Sequence, residues 1–224
     1  MKYTDYQGGK VAFDSQGKGP AVALLHGFCE DRSVWDDFKS EFVDAHFRMV
    51  CIDLPGFGQS DVPVTAGVEY YAGAVHAVLN ELNIEKVILI GHSMGGYTAL
   101  AFAEKYPETI LGLGLFHSHP YADSEEKKES RRKSIQFIRD HGHVVFVKQL
   151  IPGLFAPAYA HGQSFQLARL IHAASTYPAG GITAGLEAMI RRPDRSALLA
   201  GASYPVLFII GEEDKAIPAD QSLS

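Results

Sequence analysis

The chain has 224 residues, of which 46% are hydrophobic and 21% are charged, a composition typical of one globular domain and not of a disordered chain. Its 20 basic and 26 acidic side chains give a formal charge of −6, which lacks the basic surface of a nucleic-acid-binding protein. No apolar run reaches the ~18 residues of a membrane span, and the first residues show no secretion signal. With Cys29 and Cys51 as its two cysteines, we expect a cytoplasmic protein that binds no membrane and forms no disulfide.

The first half of the chain predicts an alternation of strands and helices. Gly8-Gly9 suits the tight turn of a β-hairpin between residues 2–7 and 10–15. Four apolar runs predict buried strands, at residues 21–25, 47–52, 86–90 and 110–116. Helical spacing of apolar residues predicts helices between them, at residues 33–45, 67–82 and 93–106. Such alternation predicts an α/β fold with a mostly parallel sheet flanked by helices.

The pattern changes after Pro120. Residues 123–133 are dense in charge, with Glu129 and Lys133 four residues apart, and predict an exposed helix face. The stretch to residue 195 shows helical segments and no convincing strand, whereas residues 206–210 again predict a buried strand. We therefore expect three segments: a first core part at residues 1–119, an all-helical cap at 120–195, and a returning core segment at 196–224.

Residues 91–96, Gly-His-Ser-Met-Gly-Gly, fit the pattern G-x-S-x-G between a predicted strand and a predicted helix. This context gives the pattern meaning, because Ser93 then lies on a sharp, strained turn with its hydroxyl above the sheet edge. Gly91 and Gly95 leave free the space that a side chain would take between strand and helix. Ser93 is therefore the candidate nucleophile. The alternative is a glycine-rich turn in which the serine only caps the helix.

The first buried strand ends in His26-Gly27-Phe28. A tetrahedral acyl intermediate needs two backbone N–H donors for its oxyanion. We expect them from Met94, which follows the nucleophile, and from Phe28 in this loop. His26 stands directly before a loop glycine, which favours a structural, hydrogen-bonded role over that of a catalytic base. Cys29 lacks a strained turn and a helix N-terminus, so we interpret it as a pocket-wall residue.

These motifs together resemble the α/β-hydrolase superfamily, in particular its esterase-like serine hydrolases with a helical cap. The resemblance extends over nearly the whole chain and is also carried by Trp35, by residues 53–60 (Asp-Leu-Pro-Gly-Phe-Gly-Gln-Ser) and by residues 211–218. It implies that Asp214 is the triad acid, which accepts the Nδ1–H of the catalytic histidine and fixes its tautomer. Glu213 and Asp220 are nearby alternatives for this acid.

The sequence departs from the family pattern at its end. The triad order of this fold is serine, acid, histidine, with the histidine roughly thirty residues after the acid. Residues 215–224 follow Asp214 and none of them is histidine. We therefore expect this sequence to be the first part of a longer chain, with the triad histidine outside it.

A chain that truly ended at Ser224 would have two consequences. His117 and His119, just past a predicted strand, could then line the acyl pocket, and His119 could approach Ser93 as the base. The strand at residues 206–210 would be an unpaired hydrophobic edge, through which two copies of the chain could pair.

The resemblance implies a serine hydrolase that cleaves a small carboxylic ester or related acyl substrate through an acyl-enzyme at Ser93. It implies no cofactor and no metal, and the two H-x-H patterns at residues 117–119 and 141–143 have no companion Asp or Cys cluster. A small-molecule acyl substrate is then the expected partner, and the cap sets its choice. The expected pocket walls are Phe28, Trp35, His119, Tyr121, Phe155 and Tyr159.

Two other functions stay open. One is a C–C bond hydrolase or lyase of the same fold; Tyr97 stands where the menaquinone-pathway lyases usually carry an arginine, which weakens that branch. The other is a non-catalytic ligand-binding or signalling protein, which a missing triad histidine would favour, since one fold hosts many functions.

Overall fold

The structure is a computed structural model that describes residues 1–156, 159, 164–214 and 217. Its strands are β1 (Lys2–Tyr6), β2 (Gly9–Gln16), β3 (Ala21–Leu25), β4 (Arg48–Ile52), β5 (Val87–His92), β6 (Ile110–Phe116) and β7 (Val206–Ile209). Its α-helices are α1 (Asp36–Asp44), α2 (Val68–Glu81), α3 (Met94–Lys105), α4 (Glu125–His141), α5 (His143–Leu150), α6 (Ser164–Thr176), α7 (Ala179–Arg191) and α8 (Ser196–Ala200). Short 3₁₀ turns lie at Arg32–Trp35, Pro107–Thr109 and Ile151–Leu154.

The strands form one sheet in the order β1-β2-β4-β3-β5-β6-β7. β1 and β2 pair as a hairpin with Tyr6 opposite Gly9, and β2 pairs antiparallel with β4. From β4 to β7 every neighbouring pair is parallel, so these strands all end at the same edge of the sheet. The α/β fold with a mostly parallel sheet, predicted from the alternating pattern, is confirmed.

The core places the beginning of α3 against the ends of β3 and β5. β3 reads Ala-Val-Ala-Leu-Leu and is buried along its whole length, as a central strand covered on both faces requires. α3 is buried from Met94 to Ala103 and packs on both strands. The turn between β5 and α3 is therefore fixed by packing on both sides.

Between residues 120 and 195, the described residues form helices and turns and contain no strand. The charged segment that begins this stretch has the expected exposed face, which carries Glu125, Glu129 and Lys133, but its other side is partly buried. Asp123 is buried, and Glu129 pairs with Arg132 at 3.1 Å and not with Lys133. The partial burial arises because α4 packs along α7, so one side of its charged surface faces the interior. No helix in the described part of the chain is long and apolar enough to cross a bilayer.

β7 lies at the edge of the sheet among the described strands. It pairs with β6, with Val206 opposite Leu113. A strand buried on both faces is predicted here, but Leu207 is 56% exposed and Ile209 is 43% exposed. Half of this strand is exposed because the described helices leave one of its faces uncovered. The hydrophobic edge considered in the sequence analysis is therefore present in the described part of the structure.

Candidate active site

The backbone of Ser93 joins β5 to α3 in a strained conformation. Its φ is 50° and its ψ is −112°, a region that residues other than glycine rarely adopt. Its N–H donates to Phe116 O at 2.9 Å, and its carbonyl accepts from the Gly96 N–H at 2.9 Å. The Ser118 hydroxyl donates to the same carbonyl at 2.9 Å. Three hydrogen bonds thus hold the turn that the G-x-S-x-G hypothesis requires.

The glycines of this motif are required by close backbone contacts. A Cβ on Gly91 would lie 2.2 Å from the Gly95 carbonyl oxygen. A Cβ on Gly95 would lie 2.4 Å from the carbonyl oxygen of Leu25, at the end of β3. Both distances are far below van der Waals contact, and backbone atoms cannot rotate away as a flexible side chain could. The two glycines therefore allow β5, α3 and β3 to converge beneath Ser93.

A cavity of about 890 Å³ lies at this edge of the sheet, and Ser93 forms part of its wall. Core side chains, including Phe28, Cys29 and Trp35, line it from one side. Phe146, Leu186 and Met189 line it from the helices of residues 120–195. A mainly apolar concavity of this size, with a few polar groups, is typical of a small-molecule site.

Of the residues expected to line the pocket, some line this cavity and others do not. Phe28, Trp35, Phe155 and Tyr159 line the cavity together with Ser93. The rings of Phe155 and Tyr159 stack at 5.3 Å. These four residues therefore share one cavity wall with Ser93, and their contact with a substrate stays a prediction.

His119 and Tyr121 do not line the cavity, and this corrects the expectation from the sequence. The His119 ring is buried beside Tyr97, with the Tyr97 hydroxyl 3.4 Å from Nε2. Its Nδ1 accepts a hydrogen bond from the Tyr121 N–H at 3.2 Å. Burial and the nearby Arg192 lower the pKa of His119 to about 4, so the ring is neutral at pH 7. The reason is that β6 ends at Phe116 and the chain then packs against α3.

The two amides expected to bind an oxyanion belong to well-held segments. Met94 is the first residue of α3, so its N–H belongs to the first turn, where amides have no partner within the helix. The Phe28 ring packs edge-on against Phe57, at 6.0 Å between centroids, and against Phe146 at 6.4 Å. These contacts fix the loop that carries the second amide.

His26 and Cys29 have the surroundings of structural residues. His26 is fully buried; its Nδ1–H donates to Gly27 O at 2.8 Å and its Nε2 accepts from the Leu54 N–H at 2.9 Å. Both ring nitrogens thus take part in hydrogen bonds, which supports a structural role for His26 over that of a catalytic base. Burial, with the charge of Glu30 nearby, raises the pKa of the Cys29 thiol well above its usual range. A protonated thiol is a poor nucleophile.

Asp214 lies beside the cavity and contacts a histidine of this sequence. The His117 Nδ1–H donates to Asp214 Oδ2 at 2.6 Å, and the Ile217 N–H donates to Asp214 Oδ1 at 2.9 Å. His117 and Asp214 both line the cavity, as does Glu213. Asp220, the other alternative acid, lies outside the described residues.

The cavity wall contains a second acid–histidine pair, which the sequence did not predict. The His92 Nδ1–H donates to Glu30 Oε2 at 2.8 Å, and the Gly27 N–H donates to the same oxygen at 2.7 Å. Burial would raise the pKa of Glu30, but His92 and these hydrogen bonds hold it below its usual range. Burial would lower the pKa of His92, but Glu30 raises it. No sequence signal points to this pair, since 62 positions separate its members.

Basic residues of α4 also reach the cavity, from the partly buried side of the helix. Lys127 and Arg131 line it, and Arg131 Nε donates to the buried Asp123 at 2.6 Å. Asp123 also accepts from Arg192 at 2.8 Å. The Arg192 guanidinium in turn lies 3.8 Å from the centre of the Tyr97 ring in α3. These contacts join the helices over the site to the core element that carries the nucleophile motif.

Neither H-x-H pattern forms part of a metal site in the described part of the chain. His117 contacts Asp214, whereas His143 Nε2 lies 3.1 Å from the Ser175 carbonyl oxygen. Across the ranges that the structure describes, no three His, Cys, Asp or Glu side chains converge as ligands of an ion.

Known proteins share this fold and parts of this sequence. The thermophilic esterase of Thermogutta terrifontis, solved with malate bound, is 32% identical; the match covers 99% of this chain and 84% of that one, with a TM-score of 0.91. A 2-hydroxy-6-oxononadienedioate/2-hydroxy-6-oxononatrienedioate hydrolase of a Pseudomonas species is 27% identical over 96% of this chain and 79% of its own. An uncharacterised protein of Mycobacterium tuberculosis is 34% identical over 51% of this chain. The chain spans about a third of the length of that relative, 34%.

A model of the family described as having the alpha/beta hydrolase fold matches residues 20–140. That range includes β3, the turn at Ser93 and β6, which are the elements that build the sheet edge of the site. With this match, and with the esterase structure that is 32% identical over 99% of the chain, the chain belongs to the alpha/beta hydrolase family.

Proposed function

We propose that this chain is a serine hydrolase that cleaves a carboxylic ester or a related acyl compound. The observation that carries the proposal is the Ser93 backbone at φ 50° in the wall of an apolar cavity. A hydroxyl on such a turn is exposed to a bound carbonyl group and stands at a helix N-terminus, which favours developing negative charge. A serine that only capped the helix would need no strained backbone.

The proposed reaction begins when the Ser93 Oγ attacks the carbonyl carbon and its proton passes to a histidine. The tetrahedral oxyanion then accepts hydrogen bonds from the Met94 and Phe28 amides. The histidine returns the proton to the leaving alcohol as the carbonyl–oxygen bond breaks. Water hydrolyses the acyl-enzyme by the same steps and releases the acid.

In this proposal Asp214 orients the histidine that acts as base. His117 occupies Asp214 Oδ2 and helps to hold the carboxylate. A carboxylate oxygen has two lone pairs, so a second histidine could share Asp214 with His117.

The cavity favours an ester with an apolar acyl or alcohol part. Its wall carries aromatic and aliphatic side chains from the core and from the helices above it, Phe28 and Met189 among them. The esterase of Thermogutta terrifontis is the relative that is most similar over nearly the whole chain among those described above, and this supports ester cleavage.

A second candidate is hydrolysis of a C–C bond. It is favoured by the dienedioate hydrolase of the Pseudomonas species, which matches 96% of this chain. Lys127 and Arg131 in the cavity wall could face a carboxylate of such a substrate. Turnover of p-nitrophenyl butyrate against turnover of a 2-hydroxy-6-oxo-dienoate separates the two candidates.

The test of the proposal is the Ser93→Ala variant of the intact protein, expressed from its complete gene. We expect loss of nearly all p-nitrophenyl butyrate turnover, at least ~10³-fold, because removal of the nucleophile abolishes the acyl-enzyme. A fluorophosphonate probe should label the wild type and not the variant. Ser40→Ala, at an exposed serine of α1, is the matched control and should behave as the wild type. Undiminished turnover in Ser93→Ala, or a wild type that neither turns over esters nor takes the probe, would contradict the proposal; the second result favours a binding protein.

A further inference from the structure

Glu30 connects two loops that the proposed reaction needs side by side. Its Oε2 accepts from the Gly27 N–H at 2.7 Å, at the start of the loop that carries the Phe28 amide. The same oxygen accepts from the His92 Nδ1–H at 2.8 Å, and His92 directly precedes Ser93. One carboxylate oxygen thus ties the loop after β3 to the turn after β5.

The loop held by Glu30 is a tight turn that starts at Gly27. The Glu30 N–H donates to Gly27 O at 3.3 Å, and Cys29 inside the turn has a φ of 61°. Phe28 lies between them, so the direction of its amide depends on this turn. An error of 1 Å in the position of such a donor is enough to weaken a transition-state hydrogen bond.

Close packing at Gly27 shows that the three groups are fitted to one another. A Cβ at this position would lie 2.8 Å from His92 Nδ1 and 2.9 Å from Glu30 Oε2. The φ of Gly27 is not the reason for a glycine here, because it lies outside the positive range. A side chain at residue 27 would therefore displace the Glu30–His92 pair from its present position.

The pair lies within a row of titratable groups on the cavity wall. The rings of His92 and His117 stand at 6.0 Å and nearly perpendicular, and His117 bonds to Asp214. Burial opposes the charges of Glu30 and His92, and their contact with each other compensates for it. The favoured state of Glu30 is therefore the carboxylate, which can accept both hydrogen bonds at once.

We infer that Glu30 is a positioning residue for the oxyanion site: it fixes the Gly27–Phe28 amides relative to the Ser93 turn by bonding to Gly27 and His92. The inference rests on the proposed function. A positioning role differs from a purely structural one, because the hydrogen bonds of Glu30 must then stabilise the transition state more than they favour substrate binding.

The first test compares Glu30→Ala with Glu30→Gln in the intact protein. Gln retains one oxygen that can accept from both Gly27 and His92, whereas Ala retains none. We expect Glu30→Ala to lower kcat for p-nitrophenyl butyrate about 100-fold, the loss typical of one oxyanion donor, with KM within about threefold. Glu30→Gln should keep kcat within about fivefold. Glu85→Ala, at an exposed glutamate just before β5, is the matched control and should match the wild type.

A second pair of variants changes His92, the hydrogen-bond partner of Glu30, in case Glu30→Ala does not fold. His92→Asn keeps an N–H near the position of Nδ1, and His92→Ala removes it. The asparagine variant should keep kcat within about fivefold, and the alanine variant should lose about as much as Glu30→Ala. The affinity for a trifluoromethyl ketone, which forms an oxyanion adduct, should fall in parallel with kcat, while inhibition by butyrate, a product acid, stays unchanged.

Three results would overturn the inference: wild-type kcat in a folded Glu30→Ala or His92→Ala variant, a loss in Glu30→Gln as large as in Glu30→Ala, or equal losses of ketone and butyrate affinity. Failure of the proposed function would look different: Ser93→Ala would keep wild-type turnover, or the wild type itself would neither turn over esters nor take the fluorophosphonate probe, whatever Glu30 does.

Discussion

Single residues at the carboxyl ends of β5, β6 and β7 carry the chemistry proposed for this protein. Ser93, His117 and Asp214 follow these three neighbouring strands and meet in one cavity wall. Because parallel strands end at the same edge, residues more than a hundred positions apart come within reach of one substrate. In the proposed reaction Ser93 is the nucleophile, Asp214 orients the base, and His117 helps to hold Asp214.

The first prediction separates these roles at Asp214 and His117. Asp214→Asn should lower kcat by about 10⁴-fold, because an asparagine stabilises neither the tautomer nor the imidazolium of the base. His117→Ala should lower it by only about tenfold, since it removes one hydrogen bond to the acid. The measurement is steady-state turnover of p-nitrophenyl butyrate by the intact protein.

His117→Asn is the control for this prediction, because its amide N–H can still donate to Asp214. It should keep turnover closer to the wild type than His117→Ala does. A loss of about 10⁴-fold in His117→Ala would instead identify His117 as the base itself.

At the scale of secondary-structure elements, the site depends on how closely strands and helix approach each other. Gly91, the residue before the last of β5, lies against the Gly95 carbonyl, and Gly95 in α3 lies against the Leu25 carbonyl at the end of β3. A larger residue at either position would separate the elements that carry the nucleophile and the Phe28 loop. The motif glycines therefore set the distance between the two parts of the site.

The prediction at this scale compares two glycines in neighbouring strands. Gly91→Ala should lower the free energy of unfolding by about 3 kcal/mol, because its Cβ would meet backbone atoms at 2.2 Å. Gly112→Ala in β6 should change it by less than about 0.5 kcal/mol, since the nearest atom to its Cβ would lie at 3.6 Å. Urea denaturation followed by circular dichroism measures both. Equal stability of the two variants would show that the strands can move apart without cost.

At the scale of the whole molecule, the helices of residues 120–195 are joined to the sheet by a buried charged cluster. Asp123 accepts from Arg131 and Arg192, and Arg192 lies over the Tyr97 ring of α3. A buried carboxylate needs both its charge and its lone pairs satisfied. This cluster fixes the helices of residues 120–195, which line one side of the cavity, relative to α3, which begins at the Ser93 turn.

The prediction for the whole molecule uses two adjacent arginines. Arg192→Ala should lower the free energy of unfolding by about 3 kcal/mol, because Asp123 loses a buried partner and Tyr97 its cation. Arg191→Ala should cost less than about 0.5 kcal/mol, because its side chain is 61% exposed against 2% for Arg192. Its ion pair spans one helix turn, and its hydrogen bond to the Ala66 carbonyl oxygen is long, at 3.4 Å. Chemical denaturation measures the difference. Similar losses in both variants would mean that the cluster does not join the two parts.

The sequence alone determined the order of elements and the identity of the nucleophile candidate. Apolar runs and helical spacing are local, so residues 110–116 could be assigned to a strand that the structure has at the same bounds. Ser93 could be identified because the glycines that allow its turn stand within two residues of it. The resemblance to hydrolases also came from short contiguous motifs of this kind.

Only the tertiary structure decided which distant side chains share the cavity. Glu30 and His92 pair across 62 positions, His119 turns toward Tyr97 and not toward Ser93, and Arg131 of a charged helix faces the interior. Sequence spacing carries no signal for such contacts, because they depend on how strands align in the sheet and which face of each helix packs on it. Neighbouring residues determine the local backbone conformation at Ser93, whereas the packing of the whole chain determines which side chains meet in the site.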